Sequence, residues 1–162
     1  FVFRQTTANS TTSVGSTNTP YTITGDYFDA SINLTSNSQY VVIHFHLFGE
    51  WNHSSNWDQG VVLQQKIGNG SWTLLSNWGD GVRPARNSIF PGDGTTGDKL
   101  STPEILNFVY VDTPGTTGEI SYRPALVTSE SNRSFYLNRT VGDSNTKHYE
   151  RGVSSFTLEV KD

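Results

Sequence analysis

The chain has no cysteine, which excludes both disulfides and thiolate metal sites. It has no apolar run near the roughly 18 residues that a membrane-spanning helix needs, and no charged-then-apolar opening of the signal-peptide kind. Positive charge is scarce: 11 Lys and Arg stand against 15 Asp and Glu, a net charge of −4. These few cations are scattered, so no basic patch exists to track a phosphate backbone, and neither nucleic acid nor membrane is expected as a partner. Apolar residues are also sparse, at 33% of the chain with a mean hydropathy of −0.47. A core drawn from that supply must be thin, which suits two sheets packed by their inner faces, with subunit contacts adding burial. No helix-period pattern outlasts a turn or two, no internal repeat appears, and no G-x-S-x-G string marks a nucleophile elbow. Methionine is absent too, and a chain that starts at Phe1 without one is expected to be a piece of something longer.

With 162 residues and no linker-like break, one domain is expected, long enough to bury roughly 70% of the surface its unfolded form exposes. What the sequence does contain is short alternating segments separated by turns. Residues 39–48 are the strongest strand, with Val41, Ile43, Phe45 and Leu47 on one face. Residues 21–24 and 30–34 are shorter candidates. Residues 61–67, then Gly68-Asn69-Gly70, then 72–75 form a hairpin pattern. Residues 105–111 are β-branched and aromatic, and Asp112-Thr113-Pro114-Gly115 closes them with a type II turn pattern. Segments 119–126, 135–140 and 153–160 follow; in the last, Phe156, Leu158 and Val160 alternate with Ser155, Thr157 and Glu159. Residues 5–19, rich in Ser, Thr and Asn, read as an extended surface arm anchored by Phe1 and Phe3. The arm is expected over 1–19 and a single domain over 20–162. The stretch 79–103, with repeated Gly and three Pro, reads as a long interaction loop.

Four groups of residues carry candidate chemistry. His44 and His46 lie on one face of the strongest strand, roughly 7 Å apart from the strand rise, with Glu50 just beyond. Two imidazoles and a carboxylate could ligate a divalent metal, and the spacing resembles the first metal motif of the cupins. The departures are plain: Ser38 and Trp57 stand where that motif has Gly, and no second motif accompanies it. The alternative is two His on the outer side of a strand whose other side is core. All four Trp (Trp51, Trp57, Trp72 and Trp78) fall within residues 51–78 among Asn, Ser, Asp and Gly. Such a cluster serves as core, as a subunit interface, or as a platform for a host-surface glycan. Glu50 and Asp58 beside it are the one carboxylate pair worth testing for glycoside hydrolysis. Asp80, Asp93 and Asp98 in the Gly-rich loop have no Ca²⁺ ligand spacing and read as turn chemistry. Asn9, Asn33, Asn52, Asn69, Asn132 and Asn138 head N-x-S/T strings, which chance supplies in so polar a chain.

Three strings carry a family resemblance: DTPGTTGEISYRP at 112–124, FYLNRTVGDSN at 135–145 and ERGVSSFTLEV at 150–160. They resemble the C-terminal signature of a family of tailed-bacteriophage virion proteins, and the opening FVFRQTTANST at 1–11 is similar to the start of the same module. The middle, about residues 50–103, departs from it. The resemblance implies an all-β, antiparallel two-sheet jelly-roll sandwich, akin to the tumour-necrosis-factor-like fold, with about 8–10 strands assembled as a homotrimer. It further implies a non-enzymatic protein on the virion surface, a capsid decoration protein or fibre module. Its partners would be itself, the major capsid protein or a tail component, and no cofactor is expected. The alternatives are a carbohydrate- or receptor-binding module built on Trp51, Trp57 and Trp78, and, third, a cupin-like metalloprotein using His44, His46 and Glu50.

Overall fold

The computed structural model describes residues 1–15, 18–25, 27–52, 59–75, 88–89, 101, 103–145 and 150–162. These residues form two six-stranded antiparallel sheets packed as a sandwich, with no helix among them. The expected all-β, two-sheet architecture is present.

The first sheet is built on a twelve-residue strand, Tyr40–Trp51 (β5). Its alternation is decisive: Val41, Ile43, Phe45 and Leu47 are buried, while His44 is exposed on the other side. One edge of β5 pairs with Glu104–Asp112 (β9). Its other edge is shared end to end by two strands, Ser154–Lys161 (β12) along residues 40–46 and Arg133–Leu137 (β11) along 49–51. Outside them lie Val2–Thr6 (β1) on β12 and Ser10–Val14 (β2) on β11. In the second sheet Gly118–Val127 (β10) and Gly60–Ile67 (β6) form the central pair. Ala30–Leu34 (β4) and Tyr21–Thr22 (β3) share the far edge of β10, and Thr73–Leu74 (β7) and Ser88–Ile89 (β8) that of β6. Pro124 falls where β10 has passed the end of β4 and not yet met β3, the place where a central strand tolerates a residue without N–H.

The core lies between the sheets. Phe45 is its aromatic centre, edge-on to Phe28 at 5.7 Å and to Phe156 at 5.9 Å, and tilted on Phe108 at 5.3 Å. Leu137 and Leu158 from the first sheet meet Leu63, Ile120 and Tyr122 from the second in the same cluster. The hairpin expected at 61–75 is β6–β7, and the turn after β9 sets Gly115 at φ +65°, as the Pro-Gly pattern requires. The strands number twelve among the described residues rather than 8–10; three of them are two-residue pieces that no alternation pattern reveals.

Two parts of the segment expected as an arm are paired in the first sheet. Val2–Thr6 and Ser10–Val14 are strands of the first sheet, and Thr12 and Val14 are buried. The polar composition misled because these strands bury only one residue in two or fewer, and their backbone pairing needs no apolar side chain. A buried asparagine holds the link between them. Asn138 Nδ2 donates to the carbonyls of Thr6 and Ala8, each at 2.9 Å, while its Oδ1 accepts from Ser154 Oγ at 2.7 Å. Its backbone N–H donates to Phe48 O at 2.9 Å, and Phe48 N–H donates to Ser154 Oγ at 2.9 Å. These bonds fill the step on β5 where β12 stops and β11 begins. Gly152 is required beside it, since a Cβ there would run into the Phe48 ring.

A second polar tie joins the two sheets. Asp112, at the end of β9, accepts through Oδ2 from Tyr122 Oη at 2.7 Å and from Gln65 Nε2 at 2.5 Å. Burial pushes the Asp112 carboxyl above its ordinary range, and the bonds from Tyr122 and the Thr113 backbone only partly oppose it. Burial, reinforced by the bond to Asp112, also raises the Tyr122 phenol, which stays protonated as the donor. Because the folded pKa of Asp112 lies above its unfolded value, its contribution to stability is fullest at acid pH. That contribution declines as pH rises through the raised pKa.

Three outcomes follow from this packing. Phe156→Ala should lower the unfolding free energy by about 3–5 kcal/mol in denaturant titrations; a loss below about 1 kcal/mol would refute its place in the core. Tyr122→Phe should cost about 1–3 kcal/mol at pH 7 by withdrawing a donor from a buried carboxylate, with a smaller loss once pH falls below the raised Asp112 pKa. An equal loss at both pH values would show that Asp112 is not the group involved. Removing residues 1–19 should abolish the cooperative thermal transition, because it strips two strands and two of the carbonyls held by Asn138; an unchanged melting temperature would contradict that account.

Candidate functional site

The outer face of the first sheet is the most distinctive surface among the described residues. Ladder register aligns its side chains in rows across four strands, from β1 through β12 and β5 to β9. One row is Phe3, Thr157, His44 and Val109; the next is Gln5, Ser155, His46 and Asn107. Further along, Val42 stands beside Val111, and Phe48 beside Ile105. Between the two principal rows lies a shallow pit of about 350 Å³ lined by His44, His46, Asn107, Val109 and Ser155. His46 Nδ1–H donates to Asn107 Oδ1 at 2.6 Å, which ties the ring across the strand pair.

The face is apolar at both margins and polar along its middle. Of the seven large apolar side chains most exposed among the described residues, four lie here: Phe3 (49%), Ile105 (52%), Val109 (60%) and Val111 (55%). Strand β9 has Ile105, Val109 and Val111 outward while Leu106, Phe108 and Tyr110 pack inward, so both its faces are apolar. Natural edge strands are usually blunted with charge. The outward residues of β9 carry none.

The candidate metal ligands separate. His44 and His46 share the outer face as the strand period requires, but Glu50 is buried and accepts the Val141 N–H through Oε2 at 2.6 Å. The alternation that should carry it to the surface is overridden because residues 138–143 fold over the end of β5. Among the described residues no three His, Asp or Glu side chains converge on a point.

The Trp cluster also divides. Trp51 is buried, with its ring 5.4 Å from that of Phe135, so it presents no face to a receptor. Trp72 lies on the outside of the second sheet, with the Arg123 guanidinium 4.1 Å and the Lys66 ammonium 5.1 Å from its ring. Sequence proximity placed four indoles together, but the chain crosses from one sheet to the other between Trp51 and Trp72. Trp57, Trp78, Asp58, Asp80, Asp93, Asp98 and nearly all of 79–103 lie outside the described residues. Phe3 lies exposed on strand β1 and Phe1 lies exposed immediately before it.

Two residues of this surface escaped the sequence reading. Val109 and Asn107 sit inside a run that reads as uniformly apolar, and the signal available was that both phases of 105–111 are apolar. A strand that is apolar on both sides needs cover on both sides.

No family model matches the sequence, and no curated protein matches it. Among solved structures, the chain is similar to one from infectious bursal disease virus Gt strain, with 17% identity and a TM-score of 0.45 over 99% of this chain and 42% of that one. A chain from the Gx strain of the same virus gives 18% identity and a TM-score of 0.40, over 99% of this chain and 41% of that one. The VP2 subviral particle of infectious bursal disease virus gives 17% identity and a TM-score of 0.31, over 95% of this chain and 42% of that one. The chain therefore spans about two-fifths of the length of these solved chains.

Proposed function

We propose that the protein is a non-enzymatic structural subunit of a virion, a trimeric jelly-roll module on the surface of a tailed phage that serves in capsid decoration or in a fibre. The observation that carries this reading is the concentration of exposed apolar side chains on one sheet face, at Phe3, Ile105, Val109 and Val111. A soluble monomer rarely leaves so many large apolar side chains uncovered on one side, whereas an assembling subunit needs them. The phage assignment rests on the resemblance carried by residues 112–124, 135–145 and 150–160. Those strings supply β10, β11, β12 and the Asn138–Ser154 node, so the shared residues are ones that build this sandwich. The major capsid protein or a tail component is the proposed attachment partner.

The two other readings have less to stand on. A glycan platform on clustered indoles loses Trp51 to the core, and a cupin-like centre loses Glu50 to the Val141 backbone.

Light scattering of the purified chain at micromolar concentration should give three times its 17.9 kDa mass. A monomer across that range would overturn the assembly reading.

A further inference from the structure

We infer that His44 and His46 form an open two-imidazole chelate for a late first-row divalent cation (Ni²⁺, Cu²⁺ or Zn²⁺) at the pit on the outer face of the first sheet. Binding of this kind needs a single subunit and is independent of the assembly reading. Burial of Glu50 removes a cupin-like centre but leaves the two imidazoles side by side.

The strand period supplies the pair. His44 and His46 stand two residues apart on the outward phase of β5, and both line the pit with Asn107 and Ser155. From the strand rise their Cα atoms lie about 7 Å apart. Two nitrogens bound to one ion at about 2.0–2.1 Å stand roughly 3 Å from each other. Same-face rings close that gap by turning toward each other about χ1 and χ2, with no change in the backbone.

One ring is already prepared as a ligand. The bond from His46 Nδ1–H to Asn107 Oδ1, 2.6 Å long, places the ring proton on Nδ1 and therefore the lone pair on Nε2. Metal-bound histidines almost always engage their other nitrogen in this way, with an oxygen that sets ring and tautomer. Here the oxygen comes from β9, where Asn107 stands directly opposite His46. His44 is the adjustable half. It is exposed and makes no hydrogen bond among the described residues, so its ring turns without breaking one.

The donor set selects the ion. The pit is lined by imidazole, amide and hydroxyl groups and by no carboxylate. Ca²⁺ and Mg²⁺ draw on oxygen ligands, carboxylates above all, and find too few here. Imidazole nitrogen suits Ni²⁺, Cu²⁺ and Zn²⁺, with Cu²⁺ held most tightly. The nearest acidic group, Glu159, stands opposite Val42 and diagonal to His44, but Lys161 Nζ holds its carboxylate at 2.6 Å. Two protein ligands leave the other coordination positions to water, so the ion is taken up and released reversibly.

Calorimetric titration with NiCl₂ at neutral pH, in a buffer that does not bind metal, tests the site. Wild type should take one Ni²⁺ per chain. A His53→Ala, His148→Ala double variant, which removes the other two of the four histidines, should bind as wild type does. His44→Ala and His46→Ala should each bind at least about tenfold more weakly, and Asn107→Ala about tenfold more weakly, the usual effect of losing an outer partner. Asn107→Asp restores an oxygen in the same place and should bind at least as tightly as wild type; affinity as low as that of Asn107→Ala would overturn the positioning role of Asn107. Should a variant fail to fold, the electron paramagnetic resonance spectrum of the Cu²⁺-loaded wild type decides by itself, with two coordinated imidazoles expected. No binding by wild type, undiminished binding in either His44→Ala or His46→Ala, binding lost in the His53, His148 double variant, or a spectrum with a single imidazole would each overturn the chelate.

Discussion

The fold depends on how one long strand accommodates two short ones along a single edge. Tyr40–Trp51 pairs with β12 for its first half and with β11 for its last residues, and between them the ladder has a step at Phe48. A step in the middle of a sheet leaves backbone groups without ladder partners, and buried groups of that kind must find others. Asn138 and Ser154 supply them. The asparagine holds a positive φ of 56°, which turns the chain out of β11, and its amide reaches back to the link between β1 and β2. Its side chain makes three good bonds with no exposure to solvent, which is how a buried amide stabilises rather than weakens a core. The same residue heads an N-x-T string, and its burial removes it from any list of glycosylation acceptors.

The inter-sheet tie at Asp112 works by a different balance. A carboxylate closed off between sheets carries a desolvation cost, seen in its raised pKa, and the Tyr122 and Gln65 donors offset only part of it. The gain is in specificity of register. Asp112 meets Tyr122 and Gln65 only if β9, β10 and β6 are each in the observed phase, and a slip of one residue would turn the carboxylate outward. The same slip in β9 would turn Phe108 outward and bring Val109 and Val111 inward, an apolar-for-apolar exchange that is less discriminating than the loss of a bonded carboxylate. The thin core therefore owes its strength to aromatic packing and its alignment to two polar ties.

Strict alternation made the largest parts legible. Residues 41–47 and 154–160 disclosed strand, inner face and outer face, because each buries one phase and exposes the other. The Gly-Asn-Gly and Pro-Gly turns were equally direct, since their φ requirements are local. Polar strands were not legible. Val2–Thr6 and Ser10–Val14 are held by ladders and by the Asn138 amide, contributions that depend on residues about 120 or more positions away. Glu50 misled for the same kind of reason: its phase pointed outward, and a distant segment folded over it. Chain proximity was the poorest guide, as the separation of Trp51 from Trp72 illustrates.

The residues that resemble a phage virion family and the residues proposed to carry assembly are different sets. Asn138, Gly152 and Ser154 lie in the resembling strings and serve the internal step on β5. Ile105, Val109 and Val111 lie just before the first of those strings, on the strand that is apolar on both sides. Such a division is what a shared scaffold with a variable surface would produce: the node tolerates little change because each of its atoms is bonded, while the outer face need only match its own neighbour. Fold and the proposed assembly would then be decoupled at the level of single side chains. The inner phase of β9 is answerable to the sandwich, and its outer phase to whatever lies against it.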